Sequence, residues 1–546
     1  MSLNKKLKSK LREQTKGRKP LKLSELPHFN QMLNCVSAAK LLLKFLMNGK
    51  RGIVIGDYDV DGIEASAILI DGMRKIGFTE EVFASHIPSR IVDGYGLSIG
   101  VVKRVIEQGY DFIVTVDNGI AAVEAIKYAR DHEIDVIITD HHTAPAILPN
   151  ANIIVCPKQP GETFPFIDIS GATVAWYFLA AIKDELNFKL DMTQYLDWVA
   201  LTIMSDVMPL DNINLTLLNY GLNLIKQRKR YLYQLVWSPE WTDSNDIDET
   251  ALSFGLIPML NAVGRIDDAN KALRLMLSTS KPEIKELFTE VKAINEKRKI
   301  LSRENTLNAE KIVDTKVDTN DNVIVVQGDY HEGVVGIIAG RLAEKYQKPT
   351  YVMSWNKEKN LWKGSARTSG HAHLYEITAF ASEFTVGFGG HAGACGFSIT
   401  EEMFSMFKAK LIEFTGKLNP DDFINHFLDP IECNLGEINS NTFKIVREFA
   451  PYGQSNPMPS FISTVKIIEA SPLSNGLHWK CKLIDEETEQ IIPAMMFNVH
   501  PDNIIKDGRR ISLTADSVKL KYNLARVYDK HSEEFKIEVL ASFINK

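Results

Sequence analysis

The first third of the chain alternates short apolar runs with longer stretches of helical periodicity. RGIVIG at Arg51–Gly56 predicts a strand and Ile63–Ile76 a helix, and Val82–Ile87 with Leu97–Glu107 repeats the pair. FIVTV at Phe112–Val116, a helix over Ala121–Arg130 and VIIT at Val136–Thr139 continue the rhythm, with Asn152–Val155 as a fifth strand. A helix over Leu33–Leu46 precedes the series. Strands separated by helices in this way imply parallel βαβ units with right-handed crossovers.

Farther along the pattern changes twice. After a mainly helical stretch, Ala172–Lys229, the segment Lys281–Val313 has helical composition, no glycine and one proline near its start, and predicts a long connector helix. A second α/β rhythm follows, with strands at Val323–Val326 and Thr350–Ser354 around a helix at Val334–Tyr346, then a Gly-rich loop at Gly387–Gly396. Beyond Leu428 the residues alternate in β fashion at Phe461–Glu469, His478–Ile484, Ile491–Phe497, Arg510–Tyr522 and Phe535–Phe543. Five such strands suit a small barrel, with the OB-fold as the leading candidate. The predicted fold class is α/β: a parallel-sheet domain, a long connector helix, a smaller α/β domain and a C-terminal β-barrel. The corresponding boundaries are a tail at 1–32, then 33–235, a helical connector at 236–314, 315–427 and 428–546.

Composition narrows the class. A length of 546 residues allows three to five domains at roughly 100–200 residues each. Hydrophobic residues make up 45% and charged residues 24%, which excludes collagen-like, coiled-coil and disordered chains. The longest apolar run, Gly171–Ile182, stops well short of the ~18–20 residues of a membrane span, so no membrane partner is expected. Five cysteines (35, 156, 395, 433 and 481) are scattered and never form a CxxC pair, which argues against a disulfide framework or a thiolate zinc site. With no apolar leader at the start, a reducing cytoplasm is the expected compartment. The net charge is −6, but Met1–Lys22 holds nine Lys/Arg against one acid, Glu13. That segment is read as a solvated tail or as a non-specific phosphate contact.

The chemistry sits where predicted strands end. Asp57-Tyr58-Asp59-Val60-Asp61-Gly62 follows the first strand, Asp117-Asn118-Gly119 follows FIVTV, and Asp140-His141-His142 follows VIIT. Ligands of open parallel sheets bind beyond the carboxyl ends of the strands, so three strands deliver acids and imidazoles to one rim. Three acids within five residues repel one another unless a cation or a proton intervenes. Hard oxygen ligands with imidazole suit Mn²⁺ or Mg²⁺ better than zinc. An EF-hand is excluded, because position twelve of such a loop would be Ile68 and a strand precedes the run.

These residues carry a resemblance. GDYDVDG (56–62), VDNGI (116–120) and TDHH (139–142) resemble the first three motifs of the DHH phosphoesterase superfamily, and ALTIMSDVMPL (200–210) resembles the fourth. NAVGRIDDA (261–269) is similar to a motif of the RecJ-type single-stranded-DNA-specific exonucleases, and GFGGHAGACGFSI (387–399) to the Gly-His loop of the DHHA1 domain. The resemblance implies metal ligands at Asp57, Asp59, Asp117, His141 and Asp206, with His142 facing the scissile phosphate and Asp61 and Asp140 orienting the ligands. It assigns a strand-end pocket to Arg90, Arg265, Ser365 and Arg367, and substrate contact to Gly390 and His391. Some superfamily members carry a histidine shortly before the first Asp; here Ile53 and Ile55 occupy that stretch.

The implied activity is a 5′→3′ exonuclease that hydrolyses single-stranded DNA to 5′-mononucleotides with two ions, Mn²⁺ or Mg²⁺, in repair and recombination. A DHH phosphatase or oligonucleotide hydrolase acting on small substrates, and a non-catalytic replisome scaffold, are the alternatives. The implied partners are single-stranded DNA, a single-strand-binding protein and a helicase, around a monomer. In the C-terminal module Trp479, Tyr522 and Tyr528 are candidate stacking faces among Lys480, Lys482, Arg509, Arg510, Lys519, Lys521 and Arg526, although aromatics on alternating strands are more often barrel core.

Overall fold

Alternate residues of the first sheet's strands enter two different cores, and this places helices on both of its faces. The five strands are β1 (Gly52–Ile55), β2 (Phe83–His86), β3 (Phe112–Val116), β4 (Asp135–Thr139) and β5 (Ile153–Val155). All pair in parallel in the order β2-β1-β3-β4-β5. Val54, Val114, Val116, Ile137 and Val155 pack with helices Cys35–Met47, Val60–Ile76 and Gly171–Glu185. Ile53, Ile55, Ile113, Val136 and Ile138 pack with helices Ile99–Glu107 and Val123–Asp131 on the other face. Strands buried on both sides explain why these runs are continuously apolar.

The structure is a computed structural model that describes residues 2–240, 243–317, 320–423, 430–473, 478–485, 487–497, 505–506, 509–510, 517–527 and 536–543. Among the described residues no helix is long and apolar enough to cross a membrane. The connector is one helix of 36 residues, Lys281–Lys316, with a proline in its first turn, where no intrahelical N–H is needed. Its first half places Ile284, Leu287 and Val291 in the core of the first domain. Farther along, Ala309 and Val313 pack with Val335, Ile338 and Leu342 of helix Val335–Tyr346.

The second sheet has the order β6-β7-β8-β10-β9, built from β6 (Ile324–Gly328), β7 (Thr350–Asn356), β8 (Leu361–Arg367), β9 (Gly387–His391) and β10 (Ala394–Ile399). The pair β6–β7 is parallel and the rest are antiparallel. The stretch Gly387–Gly396, expected as a loop, is instead most of a hairpin. Phe388 sits opposite Phe397, and the latter enters the domain core, so alternation of large side chains overrides the glycine content.

The C-terminal strand Phe461–Pro472 pairs with Val518–Val527 through its first half and with His478–Ile484 through its second. Ile491–Phe497 and Lys536–Phe543 complete a curled, barrel-like sheet. Its core takes in an unexpected element. Residues expected as a solvated tail form helix Leu3–Gln14, whose Leu3, Leu7 and Leu11 are buried against Ile445, Val446 and Phe461. Leucines at intervals of four place one apolar stripe on an otherwise basic helix, and that stripe anchors it. Tyr522 is likewise buried, its hydroxyl 2.8 Å from Ser463 Oγ, because it shares the inward face with Leu520 and Leu524. It therefore offers no stacking face. Trp479 packs partly buried against the same core, and Tyr528 lies outside the described residues.

Candidate metal centre

Four carboxylates and an imidazole converge beyond the ends of β1, β3 and β4. Asp57 follows β1 after one glycine and is buried. Asp59 caps helix Val60–Ile76, with one oxygen accepting from the N–H groups of Asp61 (3.0 Å) and Gly62 (3.2 Å). Its second oxygen stays out of the cap. Asp117 ends β3 in the left-handed region, φ 61°, a conformation held by its N–H donating to Thr139 O at 3.0 Å. His141 follows β4, its Nε2 3.1 Å from Asp117 Oδ1, 3.5 Å from Asp206 Oδ2 and 3.6 Å from Asp61 Oδ2. Asp206 arrives from the C-terminal end of helix Leu196–Ser205.

These atoms approach one another without bonding. Asp57 Oδ1, Asp117 Oδ1, His141 Nε2 and Asp206 Oδ2 are buried and have no hydrogen-bond partner. Buried polar atoms left unpaired cost about 1–3 kcal/mol each, more for charged groups, so a cluster of four in one place is a strong sign of a missing ligand. Three groups could each hold a cation: Asp57 with Asp59 and Asp117, His141 with Asp206 and Asp61, and Asp117 with His141 and His142, so that Asp117 and His141 each belong to two of them. Oxygen-rich donor sets with one imidazole fit Mn²⁺ or Mg²⁺.

The electrostatics agree with a site made for positive charge. Burial, then the neighbouring Asp59, raises Asp57 well above the usual carboxylate range. Burial and the other acids do the same to Asp117 and Asp206. Asp61 is pushed up to about 7 by burial and Asp59, against the hydrogen bonds it accepts from the N–H groups of Gly171 (2.6 Å) and Ala172 (2.8 Å). Those bonds tie it to the start of helix Gly171–Glu185, so Asp61 joins two helices at the cluster's floor. Burial, then the adjacent His142, pushes His141 down to about 3 and keeps it a neutral donor.

Asp140 and His142 form a second unit. Asp140 accepts from the N–H of Ile120 (2.9 Å), His141 (2.7 Å) and His142 (3.1 Å) and lies 2.8 Å from His142 Nδ1. Burial alone would raise Asp140, but the His142 hydrogen bond and both imidazoles hold it low. Against its own desolvation, His142 is raised to about 9 by Asp140 and then by the charges of Asp206 and Asp57. Its Nε2 faces the Tyr95 hydroxyl at 3.2 Å.

The three arginines assigned to a strand-end pocket share one electrostatic neighbourhood. Arg90 lies over the Tyr58 ring, 5.0 Å from its centre. Burial, then Arg90, lowers Arg265 to about 10, and the same two causes lower Arg367. Among the described residues none of the three has a carboxylate within salt-bridge distance, and mutual repulsion without a counter-charge is what an anion relieves. Ser365 Oγ accepts from Arg367 Nη1 at 2.8 Å. His391, at the exposed end of β9, is lowered by burial and by Arg367 and His142, which places it between the two α/β domains. Gly390 adopts φ 151°, and a Cβ there would lie 2.2 Å from Ala394 O.

Several asparagines that sequence reasoning passed over do positioning work. Asn118 donates to Ile55 O (3.0 Å) and Val116 O (2.9 Å) and accepts from Leu97 N–H (3.2 Å), fixing β1, β3 and the Arg90 loop together. Asn261 accepts from Val60 N–H at 3.1 Å, and Asn270 exchanges two bonds of 2.9 Å with the Ile87 backbone. Glu64 was also missed. It is fully buried with neither oxygen paired, and burial next to Asp197 raises it well above the usual range.

Three family models match successive parts of the chain: "DHH family, N-terminal domain" over residues 51–203, "DHHA1 domain" over 320–417 and "RecJ OB domain" over 431–526. A single-stranded-DNA-specific exonuclease RecJ of Bacillus subtilis is 30% identical over 490 residues, 89% of this chain, and this chain spans 61% of its length. A protein of the same name from Haemophilus influenzae is 29% identical over 508 residues, covering 88% of this chain and 87% of the relative. Among solved structures, RecJ from Thermus thermophilus in complex with Mn²⁺ is similar with a TM-score of 0.75 and 25% identity, covering 98% of this chain and 75% of that one. An exonuclease RecJ bound to manganese is similar with a TM-score of 0.60 and 29% identity, covering 74% of this chain and 98% of that one.

Proposed function

The chain belongs to the RecJ-type single-stranded-DNA-specific exonucleases of the DHH/DHHA1 superfamily, and from that premise we propose that it is a metal-dependent exonuclease that shortens single-stranded DNA from the 5′ end to 5′-mononucleotides. The observation that carries this reading is the set of buried, unpaired donors at the ends of β1, β3 and β4. Asp57, Asp59, Asp117, His141 and Asp206 would hold two Mn²⁺ or Mg²⁺ ions, with Asp61 at the same cluster. Such ions supply Lewis-acid chemistry, withdrawing charge from phosphoryl oxygens and acidifying water.

The chain's own groups do the rest. His141, neutral in this setting, donates a lone pair, while Asp140 fixes the backbone turn that aims both histidines. His142, cationic and hydrogen-bonded through Nδ1 to Asp140, keeps Nε2 towards the cleft, where an imidazolium can donate to a phosphate oxygen. Arg90, Arg265 and Arg367 offer guanidinium forks to a terminal 5′-phosphate and would set the polarity of digestion. His391 and Gly390 add a donor and a close backbone approach from the second α/β domain. An intact cluster of unpaired ligands supports catalysis over a scaffold role. In this reading the enzyme works as a cytoplasmic monomer in repair and recombination, beside a single-strand-binding protein and a helicase.

The pocket is tested by digesting matched strands with 5′-phosphate and 5′-hydroxyl ends. A hydrogen bond to a charged group is worth ~1.5–3 kcal/mol, so Arg367→Ala should lose roughly 10- to 150-fold in kcat/KM on phosphorylated ends only. Full retention of the phosphate preference in that variant would remove the pocket from the account.

A further inference from the structure

We infer that Arg18 is a positioning residue for the metal centre: together with the Pro451–Pro457 turn it holds the loop that delivers Asp206. This rests on the reading of Asp206 as a metal ligand.

The geometry centres on Leu210, four residues beyond Asp206 and buried. Both polar groups of its backbone are taken by elements from outside the first domain. Its N–H donates to Gln454 O at 2.9 Å, and its carbonyl accepts from Arg18 Nε at 2.6 Å. The same guanidinium donates through Nη2 to Pro451 O at 2.8 Å and through Nη1 to Phe449 O at 3.4 Å. One planar fork thus ties the Asp206 loop to the C-terminal module. Gly453 completes the contact, since a Cβ there would lie 2.9 Å from Leu210 Cδ1 and 3.7 Å from Met204 Cε.

The loop between Asp206 and Leu210 is short and has few supports of its own. Val207, 60% exposed, takes φ 54°, the left-handed position just past a helix C-cap, so little packing holds the loop beyond it. Pro209 stiffens the link to the clasp, and Met208 N–H donates back to Ile203 O at 3.0 Å. The helix end thus sets the turn at Val207, and the clasp at Leu210 sets where the loop runs from there. Releasing the Leu210 end frees the loop to shift and lets the adjoining Asp206 carboxylate move away from His141. The C-terminal module, on this account, helps to set the metal site as well as to bind the strand.

Mn²⁺ binding to the full-length chain, followed by calorimetry and by the electron paramagnetic resonance of free Mn²⁺, tests this. Arg18→Met should weaken Mn²⁺ binding about tenfold, the scale of lost support behind a ligand, and raise the Mn²⁺ concentration for half-maximal rate by the same factor. KM for the strand at saturating Mn²⁺ should stay unchanged. Arg18→Lys, whose single ammonium cannot bridge two segments, should fall between. Gln14→Ala removes contacts to Asn456 and Pro457 only, and should lower the melting temperature while leaving Mn²⁺ binding intact. Gly453→Ala presses on the same loop from the other side and should also weaken Mn²⁺ binding, giving a second route if Arg18→Met does not fold. Wild-type uptake of Mn²⁺ with unchanged uptake by Arg18→Met and Gly453→Ala, or equal weakening by Gln14→Ala, overturns the inference alone. A wild-type chain that takes up no Mn²⁺ overturns the metal-centre reading beneath it.

Discussion

Substituting Gly171 with alanine separates metal binding from folding. Gly171 opens helix Gly171–Glu185, and its N–H donates to Asp61 Oδ2 at 2.6 Å, a bond that alanine keeps. The added methyl would lie 2.6 Å from both Cβ and Oδ1 of Asp117 and 2.8 Å from its Cγ, 0.8 Å short of the 3.4 Å at which ordinary contact begins. Asp117 cannot retreat by its backbone, which is pinned at φ 61° by the bond to Thr139 O, so its carboxylate must swing out of the cluster. Overpacking of this kind costs ~1–3 kcal/mol, and replacing a helical glycine returns up to ~1 kcal/mol, so the net loss of stability is about 0–3 kcal/mol. The loss in metal affinity is larger in effect: displacing a carboxylate that belongs to two of the three groups should weaken binding ~10- to 100-fold, or ~1.4–2.8 kcal/mol. Mn²⁺ calorimetry at neutral pH, paired with melting curves with and without Mn²⁺, reads both quantities. A variant that binds Mn²⁺ like the wild type, or one that unfolds outright, would refute the steric reasoning.

The acids of the cluster make the metal-free protein pH-sensitive in a definite direction. Asp61 is held near 7 in the folded state against an ordinary 3.8, and Asp57, Asp117 and Asp206 are displaced the same way, so between about pH 4 and 7 the native state binds more protons than the unfolded one. The melting temperature without metal should therefore fall as pH rises through that window, and Mn²⁺ should raise it more at pH 8 than at pH 5; the opposite order in differential scanning calorimetry would show that the cluster is not protonated as described. Leu7→Ala deletes a fully buried side chain between the N-terminal helix and the C-terminal core, and should cost ~2–5 kcal/mol in denaturant titrations of the C-terminal transition. A cost near zero would mean that the helix does not dock.

Much of the site was legible because strand-end acids announce themselves. Asp57, Asp117 and His141 each follow a short apolar run, and a parallel sheet brings such positions to one rim whatever the helices between them do. Asp206 was different: it sits at a helix C-terminus with no strand before it, and only the resemblance pointed to it. The role of Asp61 as the link between two helix starts depends on Gly171, 110 residues away, and pairings of that range leave no mark in a single sequence. Two other features carried a signal in the sequence. Leu3, Leu7 and Leu11 recur at helical spacing, but the nine basic residues around them drew the eye to charge. Tyr522, left open between stacking face and core, alternates with Leu520 and Leu524, and that alternation points to the core where it lies. The Glu64 carboxyl carried no such warning. A single acid on a helix reads as a solvated face, and its burial follows from the packing of helix Val60–Ile76 between the sheet and its neighbours.

The most direct test of the central claim is release of 5′-labelled mononucleotide from 5′-³²P single-stranded DNA, with and without Mn²⁺, by the wild type and by Asp117→Ala. The account predicts rapid release by the wild type only when Mn²⁺ is present, with the label in the mononucleotide from the first turnover and none released by Asp117→Ala. Release that is independent of Mn²⁺, or equal in the two proteins, would contradict it.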